Sequence, residues 1–461
     1  MCATRSSLVP ILENVAAAEG NEEERMQPTM NSGKLLWVGW GDLARKAAPA
    51  INIAKGLGYE INALDVSEKP SGLKMTEPDR LFVRTSEAQH RDLVALARNA
   101  GFDAIYIANY GHQHIGSALE FYHYAPSVIL AKPLDTCLDY LLTIGRDEAN
   151  FRHLLNKLFV HDHYLNKPGI VFLRERMQAL HSDHDFLAGM LLFLVERSSI
   201  ERSEPHRIKA LGCGMIFDLA VHLISIVQAL VPEQIGWQSD AEGRYERKAR
   251  SIDVVACVTA KSAGSLLGES TVIRGREAET FGVVELVVTE TIEHESGERL
   301  EKRFPVLLVV GKGLPGEAGM TRDLKTVVLN FKDGAEVALD LDTYQFRGLQ
   351  SGFLKASGYE KIDLTQRGIN LPLVTAAQNG FALSAGDHLF QPYIPALENV
   401  RILREALRAA PVTPEGYRAG ATTCREELNT LLRLDRRFSA WNLPQNFGNF
   451  HIGDPPERTI A

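Results

Sequence analysis

The chain has 461 residues, 45% of them hydrophobic and 23% charged, and its formal net charge is −8. This length predicts two or three domains with a sizeable apolar core, and the negative charge argues against nucleic acid as a partner. No apolar run could span a membrane, and the five scattered cysteines lack C-x-x-C spacing, so we expect a soluble cytoplasmic protein with neither a disulfide framework nor structural zinc.

Residues 1–32 are polar, acidic and interrupted by Pro and Gly, which predicts a flexible N-terminal extension. From residue 33 to residue 165, apolar runs alternate with segments of helical spacing. The apolar runs are KLLWVGW, YEINALDVS, DRLFVRT, FDAIYIANY and SVILAK. Strands that alternate with helices in this way predict a parallel, doubly wound sheet, which is the Rossmann type of domain.

Residues 166–445 are predicted to form an α+β domain. Two stretches, 168–197 and 214–231, have helical character, and long β-rich runs follow them. An Asp-Gly pair in the last of these runs predicts a hairpin turn. Consecutive strands predict a mainly antiparallel sheet backed by helices, with a tail at 446–461. We expect this domain to bind the substrate and to mediate oligomerisation.

The segment LLWVGWGDLARKAAPAI places Gly39, Gly41 and Ala44 in a G-x-G-x-x-A pattern between a strand and a helix. Glycine allows a sharp turn that brings backbone N–H groups close to a pyrophosphate. The alternative is a tight strand–helix corner without a ligand. We favour a dinucleotide-binding turn because of the alternation around it. The predicted cofactor contacts are Gly39, Trp40, Gly41, Asp42, Leu43, Asp65, Asn109, Tyr110 and Lys132.

Asp65 closes the second predicted strand, where an acid can bind the ribose hydroxyls of the dinucleotide. A carboxylate there would repel a 2′-phosphate, so NAD is mildly favoured over NADP. Ser67 and Lys69 lie close enough to weaken that preference.

Lys132, in AKPLD, should lie at the carboxyl end of a strand, where α/β sheets bind ligands. It could bridge a substrate hydroxyl and the nicotinamide, although a surface lysine before a turn proline is the alternative. Further on, VHDHYLNK places Asp162, His163, Tyr164 and Lys167 close together. That density of ionisable groups suits a site that binds a phosphate, and the alternative is a polar surface loop.

Asp218 and His222 in FDLAVHLISIV have i, i+4 spacing on an otherwise apolar helix. His222 could be a hydrogen-bonded core residue. A hydride-transfer enzyme acting on a hydroxyl, however, needs a base with a pKa near neutrality, and a carboxylate from elsewhere could fix the tautomer of that base. This spacing is not a metal signal, and we expect no metal.

Several segments, in order, resemble the glucose-6-phosphate dehydrogenase family, over residues 36–407. GDLARKAAPAI resembles G-D-L-A-x-R-K-x-x-P-A-L, AKPLD resembles E-K-P-F-G, and HDHYLNK resembles I-D-H-Y-L-G-K. FDLAVHL is similar to R-D-x-x-x-N-H-L, and RFPVLLVVGKGL is similar to V-P-F-x-x-R-x-G-K-x-L. The wider Gfo/Idh/MocA sugar oxidoreductase superfamily, which has a K-P motif, shares the first half only.

This resemblance implies a mechanism in which His222 is the base for the anomeric hydroxyl as hydride leaves C1. Asp162 would orient His222, and the Lys132–Pro133 bond could be cis. The substrate contacts implied by the resemblance or by spacing are His163, Tyr164, Lys167, Asp218, Lys132 and Lys312. The resemblance also points to a homodimer or homotetramer.

The sequence departs from that family where polar groups that would contact substrate hydroxyls have become apolar, as at Ala131 and Val221. Such losses change which substrate is accepted. Three hypotheses therefore stay open. The first is an NAD(P)-dependent dehydrogenase of a sugar phosphate, and the second is an oxidoreductase of a non-phosphorylated sugar or cyclitol. The third is a cofactor-binding regulator without catalysis.

Overall fold

The architecture comes from a computed structural model, and the description covers most of the chain between residues 33 and 409. The described residues are 33–134, 148–179, 187–197, 216–239, 245–260, 272–273, 276–277, 281–314, 324–332, 334, 336–342, 346–347, 364–384 and 388–409. The predicted N-terminal extension, residues 1–32, and the predicted tail, residues 446–461, lie outside them.

The first sheet confirms the predicted doubly wound arrangement, since its first six strands are all parallel. They are β1 Lys34–Val38, β2 Glu60–Asp65, β3 Arg80–Val83, β4 Ala104–Ile107, β5 Ser127–Ala131 and β6 Leu158–His161. Their order in space is β6-β5-β4-β1-β2-β3. The strands are short apolar runs, and their carboxyl ends meet at one edge.

The helices between these strands begin and end at local signals. Ser86 accepts a hydrogen bond from the Gln89 N–H at the start of α3, and Gly101, with φ 67°, ends that helix. The helices of this part are α1 Asp42–Lys46, α2 Ala48–Gly56, α3 Glu87–Ala100, α4 His114–Phe121 and α5 Glu148–Leu155.

The second sheet is mainly antiparallel, as predicted, with one parallel pair at its centre between β7 and β13. The order in space is β16-β15-β14-β7-β13-β12-β9-β8, and a separate pair is formed by β10 and β11. These strands are β7 Leu187–Arg197, β8 Gln234–Ser239, β9 Tyr245–Ala260, β10 Val272–Ile273, β11 Arg276–Glu277, β12 Phe281–His294, β13 Arg299–Leu314, β14 Leu324–Phe331, β15 Glu336–Asp340 and β16 Phe346–Arg347.

One face of the second sheet packs against helices in a continuous apolar core. The predicted hairpin joins β14 to β15, and Gly334 adopts φ 84° in its turn. A π-helical turn, Ile216–Ala220, leads directly into α7. The helices of this part are α6 Pro168–Ala179, α7 Val221–Leu230, α8 Leu364–Gln378 and α9 Tyr393–Ala409.

One sequence expectation is wrong. Residues 187–197, expected to continue a helix, form strand β7 between β13 and β14. LAGMLLFLVER is almost uniformly apolar, and its residues from Leu187 to Val195 are mostly buried. A strand buried on both faces shows no alternation, so periodicity does not separate it from a buried helix.

The C-terminal part returns to the first sheet. Residues Gln391–Pro392 form β17, which pairs antiparallel with β6 through Gln391 and Val160. Helix α8 packs on the face that carries α1 and α2, in a cluster that includes Trp37, Trp40 and Ile51. The Rossmann sheet is therefore completed by residues from far along the chain.

Asn370 on α8 joins the two halves of the helix that follows the glycine turn. That helix is interrupted at Ala47, with Pro49 in the first turn of α2. The Asn370 side chain accepts from the Ala50 N–H at 3.2 Å and donates to the Lys46 carbonyl at 3.3 Å. Both backbone groups lie next to the interruption, where helix ends leave such groups without a helical partner.

Replacing Asn370 by alanine is expected to lower the free energy of unfolding by about 1–2 kcal/mol, because two backbone groups lose their partner. Chemical denaturation of the whole chain measures this. The matched control is Asn379→Ala, since Asn379 is exposed just after the same helix. Equal effects of the two variants would contradict the role of Asn370.

Candidate active site

The glycine turn lies at the carboxyl edge of the first sheet. Gly39 has φ 91°, and a Cβ there would lie 2.6 Å from the backbone N of Asn109, so only glycine fits. A Cβ on Gly41, in contrast, would meet nothing within 4 Å. Open space therefore lies directly beside the turn backbone, which fits the close approach of a dinucleotide pyrophosphate.

Asp65 holds the same turn. Its Oδ2 accepts from the Trp40 N–H at 2.7 Å, and its Oδ1 accepts from the Ser67 N–H at 2.9 Å. The carboxylate is thus fixed at the end of β2, beside the glycine turn. Its position matches that of an acid which binds ribose hydroxyls.

The other predicted cofactor residues differ in how far their side chains are buried and in what those side chains contact. The Trp40 side chain is fully buried, and its Nε1 donates to the Thr76 carbonyl at 3.2 Å, so only its backbone faces the turn. Asp42 is exposed and paired with Arg45, while Leu43 packs at the margin of the core. Asn109 and Tyr110 follow β4 at the same edge of the sheet, and Tyr110 is 54% exposed.

A buried aspartate–histidine pair lies at the end of β6. His222 Nδ1 is 2.6 Å from Asp162 Oδ1, and the two side chains are 2% and 1% exposed. Asp162 begins a 3-10 turn and also accepts from the Tyr164 N–H at 3.0 Å. The hydrogen bond places a proton on Nδ1 of His222, which leaves the Nε2 lone pair as a proton acceptor.

Burial and hydrogen bonding determine the protonation states of Asp162 and His222. Burial alone would raise the pKa of the Asp162 carboxyl, but His222 and the Tyr164 N–H outweigh it, and the pKa lies below its ordinary value. Burial also lowers the pKa of His222, which Asp162 only partly offsets. At neutral pH the pair is therefore an ionised carboxylate beside a neutral imidazole.

Lys132 and Asp218 form a second pair beside the first. Lys132 Nζ donates to the Asp218 carbonyl at 2.7 Å and to Asp218 Oδ1 at 2.9 Å. The Lys132–Pro133 bond is cis, as the resemblance implied. The charge of Lys132 also lowers the pKa of the His222 imidazole.

His163 and Tyr164 surround the His222 ring. The ring centroids of His163 and Tyr164 lie 5.0 and 4.5 Å from that of His222. Burial lowers the pKa of His163 well below its ordinary value, so this ring is neutral as well. Both rings therefore pack against the imidazole of His222.

The Lys167 ammonium lies over the ring of Tyr164 and is held by oxygen atoms of the second domain. Its Nζ donates to the Leu341 carbonyl at 2.8 Å, lies 3.4 Å from Asp342 Oδ1, and sits 4.4 Å from the centre of the Tyr164 ring. The side chain is fully buried, and burial lowers its pKa to about 8, against an opposing effect of Asp342. The ammonium predicted to bind a phosphate is therefore engaged by the second domain.

Lys167 is expected to make stability depend on pH. The pKa of Lys167 is about 8 in the folded chain, and its ordinary value is 10.5. Between pH 8 and pH 10.5 the unfolded chain therefore keeps a proton on Lys167 that the folded chain has lost. Stability therefore rises with pH across that window, by about 3 kcal/mol from this group, and Lys167→Met should remove the rise. Urea denaturation at pH 8 and pH 10.5 measures the difference between wild type and variant.

The control for this comparison is Lys74→Met, because Lys74 is exposed. That variant should keep the pH dependence of the wild type. Parallel curves for Lys167→Met and wild type would contradict the buried-lysine interpretation.

The remaining predictions concern a metal site, which is not expected, and the substrate contact of Lys312. The ligand atoms of Asp162, His163 and His222 lie within 4.8 Å of one another, a spacing that a metal ion could bridge. Two of these three potential ligands, Asp162 and His222, are already hydrogen-bonded to each other, as in an acid–base pair. Lys312 lies on β13, and its side chain is outside the described part of the structure.

His114 is a residue of this edge that the sequence patterns do not single out. It is 1% exposed and lies at the start of α4, between the loops that carry Asn109 and Lys132. Its sequence context, GHQHIG, indicates only a histidine near the start of a helix.

Among the described helices, none has the length and apolar character of a membrane span.

Neither a protein-family model nor a curated protein matches the sequence. Solved structures match in fold. A myo-inositol dehydrogenase from Corynebacterium glutamicum ATCC 13032 is 11% identical with a TM-score of 0.50, covering 82% of this chain and 96% of that chain. GenD2 from gentamicin A biosynthesis, in complex with NAD, is 13% identical with a TM-score of 0.52, covering 84% and 97%. KijD10, a 3-ketoreductase from Actinomadura kijaniata in complex with NADP and TDP-benzene, is 13% identical with a TM-score of 0.52, covering 82% and 98%.

The chain shares the fold of these solved structures, a Rossmann-like parallel sheet followed by a mainly antiparallel sheet. The matches span nearly the whole of each of these three proteins, so both sheets are shared. At this level of identity the likeness concerns the fold alone.

Proposed function

We propose that the protein is an NAD(P)-dependent oxidoreductase that oxidises a hydroxyl of a sugar or cyclitol. The observation that carries this proposal is the buried Asp162–His222 pair, 2.6 Å apart, at the carboxyl edge of the Rossmann sheet. Ligands of open α/β sheets bind at that edge. A neutral imidazole held by a carboxylate is the group that this reaction needs.

In the proposed reaction His222 Nε2 takes the hydroxyl proton while hydride leaves the carbon that bears the hydroxyl. Asp162 keeps the other ring proton on Nδ1 and stabilises the imidazolium that forms. Lys132, positioned by Asp218, supplies positive charge where negative charge develops on the substrate oxygen. A bound nicotinamide would supply the hydride acceptor.

The dinucleotide would bind at the glycine turn. Support comes from the open space beside Gly41 and from Asp65, whose carboxylate is fixed next to Trp40 N–H. We infer a preference for NAD, because a carboxylate at the end of β2 repels a 2′-phosphate. Parallel titrations with NADH and NADPH should give tighter binding of NADH.

For the substrate, a non-phosphorylated sugar or cyclitol has more support than a sugar phosphate. The motif HDHYLNK favours a phosphate, but Lys167 is buried against Leu341 and Asp342. His163 is neutral at pH 7, so it offers no charge to a phosphate. Of the solved structures named above, one is described as a myo-inositol dehydrogenase, and myo-inositol is a non-phosphorylated cyclitol, whereas the ketoreductase KijD10 is described in complex with TDP-benzene.

The test is reduction of NAD and NADP with myo-inositol, free glucose and glucose-6-phosphate in parallel. Turnover of an uncharged polyol that inorganic phosphate does not inhibit is the expected result. Turnover of glucose-6-phosphate with competitive inhibition by phosphate would establish the sugar-phosphate alternative instead. Dinucleotide binding without turnover of any polyol or sugar in a wider panel would favour the regulator.

A further inference from the structure

Four polar side chains are buried where α7, β17 and α9 meet. Ser225 and Gln228 lie on α7, Gln391 is the first residue of β17, and Asn399 lies on α9. Each of them is at most 6% exposed. The reaction proposed above does not use them. Since buried polar groups are costly unless they are hydrogen-bonded, their contacts show how the three elements are held together.

Gln391 connects the strand that leads to Asp162 with the helix that carries His222. Its backbone pairs with Val160 on β6, and Asp162 directly follows that strand. Its side-chain Nε2 donates to Gln228 Oε1 on α7 at 2.8 Å. We call this contact the amide bridge. It joins β6 to α7, the same two elements between which the catalytic pair makes its 2.6 Å contact.

An ion pair determines the direction of the amide bridge. Gln228 Nε2 donates to Glu398 Oε2 at 2.7 Å, and the same oxygen accepts from Arg250 Nη2 at 2.7 Å. A carboxylate paired with a guanidinium only accepts hydrogen bonds, so Gln228 turns its NH₂ group towards Glu398 and its carbonyl oxygen towards Gln391. Gln391 must therefore be the donor of the bridge. The orientation of both amides follows from this one carboxylate.

A second set of contacts holds α7 one turn closer to His222. Asn399 Nδ2 donates to Ser225 Oγ at 2.9 Å, and Ser225 Oγ donates to the Val221 carbonyl at 2.9 Å. Val221 directly precedes His222, so these contacts reach the turn of the helix that carries the base. The continuous segment formed by β17 and α9 thus holds α7 at two levels.

We infer that Gln391 is a positioning residue whose bridge to Gln228 sets the distance between Asp162 and His222. Its catalytic consequence rests on the proposed function, whereas the bridge itself rests on the contacts described. Neither glutamine titrates, so the bridge acts on His222 only through the position of the imidazole relative to Asp162. Loss of the bridge should therefore weaken the Asp162–His222 hydrogen bond, which a purely structural role of Gln391 would leave unchanged.

The first experiment uses the full chain with Gln391→Met, which keeps the length of the side chain and removes its hydrogen bonds. We expect kcat for polyol oxidation to fall by about tenfold, since small displacements of catalytic groups cost up to about 10²-fold. NADH affinity should be unchanged. The matched control is Gln378→Met, which should behave as wild type because Gln378 is exposed at the end of α8. A folded Gln391→Met variant with wild-type kcat would overturn the inference.

The pH–rate profile separates positioning from a general loss of packing. The charged groups that act on His222 are Asp162, Lys132 and Asp218, and Asp162 raises its pKa most strongly. A weaker contact with Asp162 lets that pKa fall, so the acidic limb of the Gln391→Met profile should move to lower pH. A lower kcat with an unmoved acidic limb would overturn the inference.

A double-mutant cycle with Asp162→Asn tests whether the effect passes through the catalytic pair. In that background the contact is already weakened, so Gln391→Met should lower kcat by less than about twofold, because coupled residues are not additive. A full tenfold loss in the Asp162→Asn background would show that Gln391 acts independently of the pair, and would contradict the inference.

The double variant Gln391→Met with Gln228→Met separates stability from positioning. Gln391→Met alone leaves Gln228 Oε1 buried without its donor, whereas replacing both partners by apolar groups of similar shape is far less costly. The double variant should therefore be more stable than Gln391→Met in urea denaturation, and its kcat should remain low. Recovery of wild-type kcat together with stability would overturn the positioning role.

A last measurement does not depend on turnover. In a short hydrogen bond to a carboxylate, the Nδ1 proton of His222 gives a downfield NMR signal, which His222→Gln assigns by its loss. Gln391→Met should move this signal upfield, and an unmoved signal would overturn the inference. If the wild type bound no dinucleotide, the proposed function would fail, and the proton signal would still decide whether Gln391 sets the Asp162–His222 contact.

Discussion

Replacing His222 by glutamine is expected to lower kcat for polyol oxidation by about 10³-fold, because positioned general bases contribute about 10²–10⁴-fold. Glutamine fills similar space and can hydrogen-bond to Asp162, but its amide cannot accept a proton near neutral pH. Affinity for NADH should stay within about twofold, since His222 lies away from the glycine turn. Steady-state kinetics and a fluorescence titration with NADH measure the two quantities.

His153→Gln is the matched control, because His153 is exposed on α5. That variant should have wild-type kinetics. A His222→Gln variant that keeps more than about a tenth of the wild-type kcat would remove His222 from the role of base.

Replacing Asp162 by asparagine is expected to lower kcat by about 10²-fold and to move the acidic limb of the pH–rate profile to lower pH. Asparagine keeps an acceptor for His222 Nδ1–H but removes the negative charge that stabilises the imidazolium. Asp162 raises the pKa of His222 against burial, so its neutralisation lets that pKa fall further. The base then stays deprotonated at more acidic pH, while each turnover is slower.

A profile of kcat against pH for wild type and Asp162→Asn measures this effect. Asp92→Asn is the control, because Asp92 is exposed on α3. An acidic limb that moves to higher pH in Asp162→Asn would contradict the assigned contact, whatever the loss in rate.

The first sheet could be predicted from the sequence because its signals are local. Each strand is a short apolar run next to a turn, and the pattern around Gly39 and Gly41 lies within a few residues. Strand β7 was not predictable in the same way. Its residues are buried in the centre of a sheet, so the polar positions that reveal a strand are missing.

The candidate site was predictable only in part. Spacing along the chain predicts Asp218 and His222 on one helix, and Asp218 lies in the π-helical turn that leads into the helix of His222. The carboxylate that contacts the His222 ring is Asp162, on another element. Only the family resemblance implied that contact. The engagement of Lys167 by Leu341 and Asp342 joins residues far apart in sequence, and no local pattern announces it.

The return of α8 and β17 to the first sheet has a consequence for biosynthesis. Residues 33–165 emerge from the ribosome long before Asn370 and Gln391 are made. Until then the apolar face around Trp37 and Ile51 has no cover, and β6 remains an open edge. An exposed apolar face and an open strand edge make the nascent chain prone to aggregation, so we expect it to bind chaperones early in translation.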